Sequence, residues 1–129
     1  MNTEEMRECK KKYYQENKEV VLAQHKKYRE DNQDKVAEAK RRKWAELRYR
    51  VLDYYSSGKI CCAICSEDRL PCLSVDHLNG GGNKHRREVG FGYAFYLWIE
   101  RSNYPEGFRV LCMNCQFVTR SDNYRGVEI

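Results

Sequence analysis

Two C-x-x-C pairs, Cys62/Cys65 and Cys112/Cys115, set the limits on what this chain can fold into. Each pair can place two thiolates on one soft cation, and two pairs complete a four-thiolate tetrahedral site of the kind that holds structural zinc. Such a site has no open coordination position. It therefore builds the fold, and any chemistry must lie in the sequence between the pairs. Asp76-His77 is the chemically active step there, followed by Asn79-Gly80-Gly81-Gly82-Asn83 and then Lys84, His85, Arg86 and Arg87. Cys9, Cys61 and Cys72 are left over. Cys61 or Cys72 competes with Cys62 as a ligand, but only Cys62 has the C-x-x-C spacing to Cys65.

A metal staple is also what the composition calls for. One-third of the 129 residues are charged and mean hydropathy is −0.90, so the apolar core must be small, and small cores need a covalent or metal clamp. The opening MNTEEMRECKKK has no apolar segment of the secretory type. No apolar run approaches spanning length, so no membrane partner is expected. The expected compartment is the reducing cytoplasm (the host cell interior for a phage-encoded chain), where paired cysteines mean metal and not disulfides.

The net charge of +5 is unevenly placed. Residues 1–50 hold 15 Lys/Arg against 10 Asp/Glu, whereas residues 51–129 hold 9 of each. This marks residues 1–57 as a basic helical arm suited to a polyanion, with a second domain at 58–129. The arm repeats: Lys11-Lys12-Tyr13 and Asn17 recur as Lys26-Lys27-Tyr28 and Asn32. Each asparagine is expected to cap the helix that follows, its side chain accepting from a free N–H of the first turn. Lysines interleaved with Tyr13, Tyr14 and Tyr28 suit phosphate contact and base stacking. A plain solvated face, or tyrosines packing between helices, would give the same pattern. Lys40, Arg41, Arg42 and Lys43 add a further basic cluster.

Periodicity predicts a helix from Gln33 to Tyr55, with Trp44, Leu47, Val51 and Tyr54 or Tyr55 on one face. Gly58 ends it. A short strand is expected over Leu70–Val75, closed by Asp76-His77, then the glycine-rich loop. A helix over Tyr93–Arg101 follows, with Phe95, Leu97, Trp98 and Ile99 facing the core. A turn at Tyr104–Gly107, a strand over Phe108–Leu111 and a last helix from Met113 to about Asp122 complete the chain. The fold class is α+β.

Over Cys62 to about Arg120 the chain resembles the HNH, or ββα-metal (His-Me finger), endonucleases, and within them the four-cysteine zinc branch typified by phage endonuclease VII. The resemblance implies a small zinc-stapled ββα-metal finger behind the helical arm. It implies that Asp76 is a ligand to a catalytic magnesium or manganese ion and that His77 is the general base. The family's second ligand follows the second knuckle directly, where this chain has Gln116. The family's middle asparagine falls near Gly107, which has no side chain.

The residue chemistry is compatible with that implication. Neutral imidazole is available near pH 7. A hard divalent ion takes one carboxylate, one side-chain carbonyl, waters and substrate phosphate. A backbone carbonyl near Gly107 could orient His77. His85 is open between a further metal ligand, a phosphate contact and an exposed loop residue. Lys84, Arg86 and Arg87 suit phosphate contacts. The expected function is that of a metal-dependent nuclease, a hydrolase nicking or cutting duplex or branched DNA; the resemblance implies that it leaves a 3′-hydroxyl and a 5′-phosphate. Gln116 and Gly107 define the alternative, a zinc-stapled DNA-binding regulator that does not cleave. A third possibility is a protein-interaction module whose arm binds an acidic partner.

Overall fold

The structure is a computed structural model and describes residues 2–120. It combines helices with one two-stranded sheet, and the chain divides into two compact units, Met1–Arg42 and Lys43–Ile129. The second unit begins earlier than the expected boundary after residue 57, because the helix ahead of that boundary supplies core side chains.

In the first unit, α1 spans Thr3–Glu16 and α2 spans Lys18–Asp31. Asn2 caps α1 through a capping box: its side chain accepts from the Glu4 and Glu5 N–H groups, at 3.0 and 2.9 Å, and Glu5 accepts from the Asn2 N–H at 2.8 Å. Asn17 and Asn32 do not repeat this arrangement. Each donates its side-chain amide backwards, to Tyr13 O and Tyr28 O respectively, both at 2.9 Å. They close the preceding helix instead of opening the next one. The backbone passes from one helix to the next through a single residue, so a side-chain acceptor has no room to turn forward, while the last carbonyls behind it need donors. Asn2, Asn17 and Asn32 stand 15 residues apart, and basic residues recur in the same phase at Lys10–Lys12, Lys26-Lys27 and Lys40–Arg42. Neither α1 nor α2 has a buried residue.

The second unit holds the core. It starts within α3 (Gln33–Tyr55), whose Leu47, Val51 and Leu52 are buried. Trp44 and Tyr55 pack against that core, whereas Tyr54 is exposed. Leu70–Cys72 forms a 3-10 turn around Pro71, so strand β1 (Leu73–His77) starts later than expected. Proline lacks the N–H that a ladder needs, which confines it to the approach. β1 pairs antiparallel with β2 (Phe108–Cys112), in a register that sets Leu73 opposite Cys112, Asp76 opposite Arg109 and His77 opposite Phe108. Leu73, Val75 and Val110 lie in the core with Phe95, Tyr96 and Ile99 of α5 (Tyr93–Arg101). Leu97 and Trp98 are only partly buried beside them. Helix α6 (Met113–Arg120) follows β2 directly. Its expected last residues, Ser121 and Asp122, fall outside the described residues.

The glycine-rich loop is shorter than expected. Gly81 takes a left-handed conformation, φ 78°, and helix α4 (Gly82–Val89) begins at the next residue. Lys84, His85, Arg86 and Arg87 therefore sit on a helix and not in a loop. The free edge of β1 is closed by side chains: Arg48 donates to Leu73 O, the Val75 N–H donates to Tyr96 Oη at 3.1 Å, and Arg86 reaches Val75 O at 3.4 Å. Without these groups the second strand edge would stay open to pairing with another chain. Among the described residues, no helix is long and apolar enough to cross a membrane.

Candidate functional site

Cys62, Cys65, Cys112 and Cys115 bring their sulfurs within 4.8 Å of one another. Backbone bonds fix the first pair: the Cys62 N–H donates to Glu67 O at 2.8 Å, and the Ala63 N–H donates to Val110 O at 2.9 Å, tying the knuckle to β2. In the second pair the Cys115 N–H points at Cys112 Sγ, 3.4 Å away. All four thiols are free, and Cys65 Sγ lies 3.6 Å from Cys112 Sγ. A disulfide would need about 2.05 Å. Tetrahedral zinc, with Zn–S bonds of about 2.3 Å, spaces its sulfurs about 3.8 Å apart. Donor set and spacing both fit, so the cluster could hold a metal ion such as zinc. Cys61 and Cys72 are outside it, which leaves Cys62 in the position its spacing suggested. Burial and the neighbouring thiols push the Cys115 thiol up to about 12.

At the far end of the hairpin, β1 delivers Asp76 and His77 to one cavity of about 620 Å³. The turn at Asn79–Gly81, the start of α4, Arg109 of β2, and Thr119 and Arg120 of α6 complete its wall. Asp76 is only 8% exposed, and its Oδ2 accepts from Arg109 Nε at 3.1 Å. The antiparallel register creates this pair, since the two residues lie directly opposite on one face.

His77 Nε2 lies 2.9 Å from His85 Nδ1. Its ring packs edge-on against Phe108, with centroids 4.8 Å apart, and beside Phe95. Gly82 closes over the ring: a Cβ there would come within 2.9 Å of His77 Nδ1. Burial, then the proximity of His85 and Arg86, lowers the His77 pKa below its usual value, so the ring is neutral at pH 7. The partner expected near Gly107 is not the one found, because Gly107 O accepts from the Leu78 N–H at 2.9 Å. His85 is likewise no exposed loop residue. It is half-buried on α4 and packs edge-on to Trp98, at 4.4 Å.

Gln116 is 4% exposed and does not line the cavity. Its amide nitrogen donates to Ser74 Oγ and, at 3.3 Å, to Leu111 O. Its carbonyl accepts from Arg120 at 2.8 Å. Of the α4 cations, Lys84 and Arg87 are exposed. Arg86 is turned inward, its guanidinium 5.4 Å from the Phe95 ring centre. In the arm, Lys11, Lys12, Lys26, Lys27, Lys40, Arg41 and Arg42 are all exposed, as is Lys43 in the second unit. Sequence reasoning missed Arg109, Arg120 and the constraint at Gly82. All three depend on strand register or on helix placement and have no local signature. Compared with family models, curated proteins and solved structures, the chain matches none.

Proposed function

We propose that this chain is a metal-dependent DNA endonuclease, with β1, β2 and α6 forming a ββα-metal finger. One observation carries the reading: Asp76 and His77, consecutive at the end of β1, both open on a cavity walled by β2 and α6, while four free thiols cluster at the other end of the same hairpin. His77 is neutral near pH 7 and oriented by His85, so it can take the proton of an attacking water. Asp76 presents a buried carboxylate to the same space. A magnesium or manganese ion held by Asp76 would supply charge stabilisation to the phosphate and to the departing 3′-oxygen. For Gln116 to serve as a second ligand, its carbonyl must first leave Arg120. The exposed cations of the arm, with Lys84 and Arg87, suit the phosphates of duplex or branched DNA.

A second reading, DNA binding without cleavage, is favoured by the commitment of Gln116 to Ser74 and Arg120. Incubating supercoiled plasmid with the protein and magnesium or manganese, beside a His77→Ala control, separates the two. Nicking that disappears in His77→Ala supports the endonuclease. Retardation of the plasmid without nicking selects the binding protein. Failure to bind DNA even at low salt leaves an interaction module with an acidic protein partner.

A further inference from the structure

The cavity beside His77 carries two arginines that the family resemblance does not account for. Arg109 comes from β2 and Arg120 from α6, and each is anchored by one bond to a buried side chain: Arg109 Nε to Asp76 at 3.1 Å, and an Arg120 terminal nitrogen to the Gln116 carbonyl at 2.8 Å. Each anchor uses one donor of a guanidinium that has five. The remaining nitrogens of both arginines have no partner among the described residues, and both side chains line the cavity. The first turn of α4 ends on the same space with Gly82 and Asn83, and its leading N–H groups have no intrahelical acceptor. Among the described residues Asp76 is the only carboxylate in the wall, and Arg109 already neutralises it. The result is a concave site whose charged groups, among the described residues, are two guanidiniums and one carboxylate.

We infer that Arg109 and Arg120 form a two-guanidinium clamp for a phosphodiester group, with Asp76 and Gln116 holding the clamp in place. The planar fork of arginine can present two parallel N–H bonds to a phosphate, and buried anchors limit the rotamers that must be frozen on binding. Gln116 is then a positioning residue for Arg120: its amide is fixed by Ser74 and Leu111 O, and its carbonyl aims the guanidinium. The clamp rests on the endonuclease reading for its substrate class, but it is tested without cleavage.

The test is an NMR titration of the full zinc-loaded chain, ¹⁵N-labelled, with the dinucleoside monophosphate TpT at constant ionic strength and without magnesium. Saturable shifts of the Arg109 and Arg120 side-chain Nε–H signals are expected, with Arg48, Arg50 and Arg69 unmoved. Arg109→Gln and Arg120→Gln should each weaken TpT about tenfold, the scale of one charge-assisted hydrogen bond, with zinc content unchanged. Gln116→Ala should weaken TpT and restore mobility to the Arg120 signal, whereas loss of a metal ligand alone would alter neither in the absence of magnesium. A uniform drift of all arginine signals, or none, overturns the clamp even for a variant set that fails to fold, because the parent protein alone gives that result. A parent that binds TpT through these two arginines but never nicks plasmid keeps the clamp and sinks the endonuclease.

Discussion

His85 Nδ1 stands 2.9 Å from His77 Nε2, and Gly82, one helical turn earlier on α4, leaves His77 Nδ1 the space a side chain would fill. One short helix thus orients the ring through a hydrogen bond and encloses it through a glycine. Gly82→Ala would place a methyl 2.9 Å from Nδ1 and turn the ring. A misplacement of about 1 Å costs about 10²-fold in rate. His85→Ala should also lower nicking, with His85→Asn restoring part of it by returning a polar partner. Initial nicking rates beside thermal melts check this. Equal rates in parent and Gly82→Ala would show that the ring position does not matter.

The four-thiol cluster predicts one zinc per chain and unfolding on its removal, since the unit it clamps has few buried residues. Cys62→Ser and Cys115→Ser should lose the metal and the cooperative melt. Cys61→Ser and Cys72→Ser should keep both. A melt unaffected by a strong chelator would contradict the assignment.

The arm presents basic residues in three tandem bands, Lys10–Lys12, Lys26-Lys27 and Lys40–Arg42. On an α-helix three successive residues spread over about 200° of arc and two over about 100°, at 3.6 residues per turn, so the three-residue bands offer charge to more than half of the circumference. That arrangement suits sequence-independent phosphate contact. Changing a whole band to glutamine should flatten the dependence of log K on log salt by about 0.9 per charge removed, and deleting residues 1–42 should flatten it most. Fluorescence anisotropy of a labelled duplex across a salt series measures the slopes. A slope that survives the deletion would take the arm off the phosphates.

Leu52 is fully buried between α3 and the sheet-bearing core. Leu52→Ala should destabilise the second unit by about 2–5 kcal/mol. Val20→Ala, on the exposed surface of α2, should leave the thermal midpoint unchanged. Chemical denaturation of both variants is the measurement. A large loss from Val20→Ala would mean that the arm has a packed partner.

The sequence by itself carried whatever depends on neighbours along the chain. The C-x-x-C spacing chose Cys62, Cys65, Cys112 and Cys115, which the fold brings within 4.8 Å. Helical periodicity located α3 from Gln33 to Tyr55 and α5 from Tyr93 to Arg101. Composition announced the small core. The local reading failed where one glycine decided the geometry: Gly80 to Gly82 read as an open loop, yet the left-handed turn at Gly81 starts a helix and carries His85 to His77. It also failed at Asn17 and Asn32, which face backwards because single-residue junctions leave a cap no other direction. Tertiary structure alone set Arg109 against Asp76, since a strand register fixes residues 33 positions apart face to face. It alone placed Arg120 on Gln116 and buried that glutamine beneath the cavity wall. Spacing reports which residues a short segment can bring together. Which side chain then occupies a carboxylate or a carbonyl depends on the packing of segments far apart in the chain, and that packing leaves no local mark.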